Sequence, residues 1–261
     1  MATVLREKKI KSADRVLEIL EMFDETRNSV TVMDVARNLS YPQSSTSELL
    51  SSLVKHGYLR RDRSSRTYCP TARVALLGAW VQPNLFRDGR LLPMMDSLNE
   101  QSGEAVVLAS TVDVSLKHLH TVGCLPVELR AGSEHHLLHS PLGRTLISMT
   151  EREYVRKLVH RLNAESEADR RVRYVELSPD LDAIRSRGFA LGMVDSERSC
   201  VCVLLPQNGN QEKLALGLIV PSATLSERCD DYVRILRSGV AAYLGPMITR
   251  SASPAPYAMA S

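Results

Sequence analysis

Residues 31–70 read TVMDVARNLSYPQSSTSELLSSLVKHGYLRRDRSSRTYCP, and the fold turns on how this stretch is divided. Thr31 with Asp34 three residues on has the form that satisfies free N–H groups at a helix start, and Val32, Val35, Ala36 and Leu39 then share one face. A short helix is predicted there. Ser40-Tyr41-Pro42 interrupts it, because proline pushes the residue before it out of helical angles. Ser45-Thr46-Ser47-Glu48 offers a second capping box, so a second helix is expected just beyond it. Leu49, Leu50, Leu53 and Val54 form its burying stripe, and Gln43, Ser44, Ser45, Thr46 and Ser47 stay at its exposed N-terminal end. His56-Gly57 closes it, and residues 58–61 and 67–69 predict strands flanking an arginine-rich turn.

Upstream, Val16, Ile19, Leu20 and Phe23 supply the third side of a small trihelical core. Helix, turn, helix and hairpin in that order imply a winged helix-turn-helix over residues 1–72, a reader of double-stranded DNA. The expected DNA-binding residues are Thr31, Gln43, Ser44, Ser45, Thr46, Ser47, Lys55, Arg60, Arg61, Arg63 and Arg66. Glutamine can pair bidentately with adenine and hydroxyls discriminate weakly, while the arginines and Lys55 suit phosphates or the minor groove. A solvated surface hairpin would explain each feature taken alone.

Charge follows the same division. Residues 1–80 carry 13 Lys/Arg against 9 Asp/Glu, a net of +4, whereas residues 81–261 carry 20 against 21, a net of −1. Arg6, Lys8, Lys9 and Lys11 form a basic arm that could contact phosphates. No apolar run has signal-peptide or membrane-spanning length, so a cytoplasmic protein with no membrane partner is expected. Five irregularly spaced cysteines fit reduced thiols, and Cys200 and Cys202 fall on one face of a strand.

Residues 73–87 predict a linker helix running into a break at Gln82-Pro83-Asn84, with Leu77, Trp80 and Val81 as candidate interface residues. Residues 88–248 then read as a mixed α/β domain. An amphipathic helix carries Leu91, Leu92, Met95 and Leu98; strands are predicted over 105–112, 116–122, 127–131, 189–194, 200–205 and 213–220; helices are predicted over 142–149, 151–162 and 225–244, with a further helix-stop signature at Gly188. The Ser/Ala/Pro-rich tail, 249–261, is expected to be disordered. The fold class expected is therefore α+β.

With both halves in view, the chain resembles the IclR family of bacterial transcription regulators. The resemblance rests on ADRVLEIL at 13–20, VARNL at 35–39, PQSS at 42–45 and Gly57-Tyr58-Leu59-Arg60-Arg61 in the first half. In the second it rests on Gly103-Glu104, Gly132-Ser133, Leu142-Gly143-Arg144, IRSRGFA at 184–190 and Cys202 followed by Pro206. It implies a GAF- or profilin-like effector-binding domain and a homodimer or homotetramer acting as repressor or activator on operator DNA. It also implies a small-molecule pocket built from Leu138, His139, Ser140, Pro141, Leu142, Gly143, Gly192, Cys202, Gly217 and Ile219. Gln43 replaces the family's arginine, and Glu48 stands where a basic residue is frequent. Gly192, Gly217 and Ile219 replace an acid and two serines, which points to a larger or less polar organic acid or aromatic compound as effector.

Other chemistries remain open. His118 and His120 alternate on a strand, and Glu134, His135, His136 and His139 cluster after it, spacings that could hold zinc or merely line a polar rim. His139 and Ser140 could form a small hydrolase, although no G-x-S-x-G elbow or phosphate loop is present. A DNA-binding scaffold without an effector is a third reading. The expectation carried forward is a regulator with no catalytic residues, no metal and no cofactor.

Overall fold

The computed structural model describes residues 11–23, 27–78, 89–206 and 212–245. The chain divides into two compact units, Met1–Pro83 and Asn84–Ser261. The basic arm at Arg6, Lys8 and Lys9, the candidate interface residues Trp80 and Val81, and the tail all lie outside the described residues.

The first unit runs α1 (Lys11–Glu21), α2 (Val32–Asn38), α3 (Gln43–Lys55), β1 (Leu59–Arg61), β2 (Tyr68–Pro70) and α4 (Ala72–Gly78). At the start of α2 both arms of a capping box form: Asp34 N donates to Thr31 Oγ1 at 3.2 Å and Thr31 N donates to Asp34 Oδ2 at 2.8 Å. The Thr31 N–H and the Thr31 hydroxyl, both donating to Asp34 Oδ2, hold that carboxyl below its ordinary pKa. The second predicted box is not used, because α3 begins earlier, at Gln43, with Pro42 as its N-cap. Proline's fixed φ, −59° here, already suits a helix entry. The Ser45 and Thr46 hydroxyls therefore turn back and donate to Pro42 O, each at 3.0 Å. Ile19, Val35, Leu50, Leu53, Leu59 and Tyr68 bury together between the helices and the hairpin. Each such aliphatic side chain contributes about 1.5–3 kcal/mol relative to exposure. Val30 bridges Tyr68, tying the segment before α2 to the wing.

The second unit runs α5 (Leu91–Ser102), β3 (Ala105–Val112), β4 (Ser115–Val122), β5 (Glu134–His136), α6 (Pro141–Ser148), α7 (Arg152–Glu165), α8 (Tyr174–Arg187), β6 (Ala190–Met193), β7 (Arg198–Leu204), β8 (Leu214–Pro221) and α9 (Ser222–Leu244). Its strands form one antiparallel sheet in the order β5-β4-β3-β8-β7-β6. Alternation along the central strands splits the core. Val107, Ala109, Cys200, Cys202, Ala215 and Ile219 share a cluster with residues of α6, α7 and α8, while Val106, Leu108, Val201, Leu216 and Leu218 share one with α5 and α9. Burial on both faces explains why β3 and β8 read as nearly continuous apolar runs. Gly188 ends α8 at φ 78°, a left-handed cap that side chains resist.

Three sequence expectations need correction. Residues 127–131 are not a strand: Val127–Leu129 is a 3-10 turn following Pro126. The edge of β4 is instead taken by β5 (Glu134–His136), whose polar residues carry no strand pattern, with Gly132 N donating to His118 O at 2.8 Å just before it. Helix α7 continues to Glu165, past its last buried residue, Leu162. The fold is α+β, an N-terminal winged helix-turn-helix and a C-terminal α/β domain with an antiparallel sheet.

Candidate nucleic-acid interface and effector region

Helix α3 buries Thr46, Leu50 and Leu53. At about 100° per residue the opposite side carries Ser44, Glu48, Ser51 and Lys55, all exposed. Gln43 is exposed at the first turn, and Ser45 and Ser47 are half-buried on either flank. Thr46 corrects one sequence expectation: it is fully buried and its hydroxyl is spent on Pro42 O, so it cannot meet a base edge. Glu48 and Ser51 join the exposed face without being expected there, although the 44-48-51-55 stepping is visible in the sequence.

The wing is set by Asp62, whose Oδ1 accepts from Ser64 N at 2.8 Å and Ser64 Oγ at 2.6 Å. Those bonds pull its carboxyl down to about 2 and keep the turn anionic at its base. Arg66 closes the turn at φ 56°. Between α3 and the wing lies a concavity of about 320 Å³ lined by Ser51, Val54, Arg61, Arg63 and Tyr68. The Arg61 guanidinium sits 5.6 Å from the Tyr68 ring, on the α3 side of β1. Strand alternation turns Arg60 to the other side. Among the described residues Lys55, Arg60, Arg61, Arg63 and Arg66 form no ion pair. Thr31, by contrast, already commits its hydroxyl to the α2 cap, donating to Asp34 Oδ2 at 2.8 Å.

In the second unit, α6 brings several predicted effector residues together. Pro141 and Leu142 in its first turn are buried against the sheet, and Thr145 Oγ1 lies 3.2 Å from Cys202 Sγ. Packing is close at the two strand glycines. A β-carbon at Gly217 would stand 2.8 Å from Cys200 Sγ and 3.0 Å from Cys202 Cβ, and one at Gly192 would stand 3.2 Å from Pro141 Cγ. Gly143 passes so close to Leu137 that a β-carbon there would stand 2.0 Å from the Leu137 carbonyl oxygen, and no other residue fits. Leu138 and Ile219 belong to the packed core. The lack of side chains at Gly192 and Gly217 lets the first turn of α6 settle close to the sheet.

His139 leaves the group: its ring Nε2 lies 2.8 Å from Arg170 O, and the Ser140 hydroxyl has no hydrogen bond among the described residues. No nucleophile–base pair forms there. The remaining imidazoles make two separate pairs, His118 with His135 and His136 with His139, at ring centroid distances of 4.3 and 4.4 Å. Ser133 Oγ bridges the first pair, 3.2 Å from His118 Nδ1 and 3.0 Å from His135 Nε2. Burial pushes His118 down to about 4 and lowers His135 and His136. Among the described residues no cluster of three His, Cys, Asp or Glu side chains could hold a metal. Nor is any described helix long and apolar enough to cross a membrane.

Comparison with known proteins agrees with this division. The IclR helix-turn-helix domain matches residues 12–63, and the bacterial transcriptional regulator IclR C-terminal domain matches residues 89–242. Transcriptional repressor IclR of Escherichia coli K12 is 26% identical over 198 residues, covering 73% of this chain and 72% of the relative. HTH-type transcriptional regulator KdgR of Dickeya chrysanthemi is 21% identical, covering 88% of this chain and 77% of the relative. The Thermotoga maritima IclR structure superposes with a TM-score of 0.59 at 16% identity, covering 91% of this chain and all (100%) of that one. An IclR homolog from Microbacterium hydrocarbonoxydans complexed with 4-hydroxybenzoate gives 0.56 at 18% identity, covering 91% and 98%. The chain therefore belongs to the IclR family of bacterial transcriptional regulators.

Proposed function

We propose that this regulator binds operator DNA as a homo-oligomer and that a small organic molecule in its second unit biases the DNA-competent form. The observation that carries the reading is the exposed α3 face beside an arginine-lined cleft. Gln43, Ser44, Ser47, Glu48 and Ser51 present base-reading groups, and Arg61 and Arg63 present cations that no carboxylate of the described residues neutralises. One winged helix contacts few base pairs, so useful specificity calls for two copies on neighbouring half-sites. Helix α4 supports pairing of copies, since it exposes Leu76 at 67% and Leu77 at 52%. The solved relative holding 4-hydroxybenzoate makes aromatic acids the first effector class to try. The protein works in the cytoplasm, without catalysis, metal or cofactor. Selection of a random duplex library by the full chain, followed by mobility shifts on the enriched sequence, tests the reading. A two-fold-related pair of half-sites is expected, and no enrichment above non-specific binding would refute it.

A further inference from the structure

The second unit holds a concavity of about 300 Å³ under the far end of α6. It lies about 13 Å along β8 from Gly217, four residues at the rise of a strand. Its floor is apolar, made by Leu146, Ile147 and Leu158, all buried. Its wall is polar, with the Thr150 hydroxyl and the ammonium of Lys213. Lys213 is half-buried at the entry to β8 and donates to Thr150 Oγ1 at 2.8 Å. An ammonium has three protons to donate, and among the described residues this one makes no ion pair. Burial without a counter-charge lowers its pKa, so an arriving anion would relieve an existing cost. Asp113 also lines the cleft, but its carboxylate is held by Arg161 Nη2 at 3.1 Å.

We propose that this cleft is a binding site for a small monocarboxylic acid with an apolar body, its carboxylate on Lys213 and Thr150 and its body against Leu146, Ile147 and Leu158. One unpaired cation suits a single negative charge better than a dianion. The volume sits at the small end of ligand pockets, the size class of an aryl or short alkyl acid. The proposal rests on the reading of the second unit as an effector domain, and concerns a cleft at the opposite end of α6 from Pro141 and Leu142.

The test is calorimetry on the full chain with benzoate, 4-hydroxybenzoate, phenylacetate and hexanoate, each beside its neutral amide. At least one acid is expected to bind about tenfold or more tightly than its amide, and Lys213→Met should remove that margin. Because Lys213→Met could perturb folding, wild-type protein is also acetylated with acetic anhydride and mapped by mass spectrometry. Saturating acid should protect Lys213 and leave exposed Lys157 modified. Acid binding that survives Lys213→Met, Lys213 left unprotected, or no binding by any of the four acids overturns the proposal. Mobility shifts on the same preparations keep the two readings apart: failure to bind DNA would sink the operator reading without touching the cleft.

Discussion

Leu142 stands in the space in front of Gly217: a β-carbon on that glycine would lie 3.1 Å from Leu142 Cδ2. The leucine side chain thus takes up the room that a side chain at position 217 would need. Gly217→Ser should cost about 1–3 kcal/mol by overpacking, and Leu142→Ala about 2–5 kcal/mol by leaving a void. Combined, the two should cost clearly less than their sum, because the smaller side chain relieves the clash. Chemical unfolding of the full-length variants measures the coupling; strict additivity would mean the two residues do not compete for one space.

Arg61 and Arg63 line the cleft beside α3, whereas Arg60 lies on the other side of the same strand. Replacing Arg61 or Arg63 with alanine should flatten the dependence of log affinity on log salt by about 0.9 each, the value of one phosphate contact. Arg60→Ala should leave the slope nearly unchanged. Equal effects from all three would show that the wing binds merely as a diffuse positive surface.

Glu48 faces away from the core between Ser44 and Ser51, and no cation among the described residues pairs with it. A carboxylate can only accept, which suits the cytosine amine, whereas glutamine suits adenine. Glu48→Gln should therefore move the preference at one base pair from cytosine towards adenine by about 1–3 kcal/mol, read by competition between duplexes. A uniform rise in affinity for all duplexes would instead mean that Glu48 only repels phosphates. Thr46→Val, buried and shape-conserving, should leave base preference untouched.

His118 is 2% exposed and its pKa falls from 6.5 to about 4 in the folded chain. Above pH 6.5 both folded and unfolded forms are neutral and stability is complete. Between pH 6.5 and about 4 the unfolded chain takes up a proton that the folded chain refuses, so stability falls as pH falls, then levels off. The loss amounts to about 3 kcal/mol at most. His118→Gln should flatten that part of the pH–stability curve; an unchanged slope would place the titrating group elsewhere.

Local rules visible in the chain determine much of this protein. The Thr31–Asp34 box, the glycine stops at Gly103 and Gly188, and the two-sided apolar strands each follow from nearest-neighbour chemistry, which a linear pattern records. Where two local signals compete, as Pro42 does with Ser45–Glu48, the pattern alone selects the wrong helix start. Tertiary structure decides the rest: that Thr46 turns inward, that the polar Glu134–His136 segment becomes an edge strand, and that Leu142 closes over Gly217. Those outcomes depend on volumes brought together from distant positions. A residue's type states what it can do, but only packing settles whether space remains for it to act on another molecule.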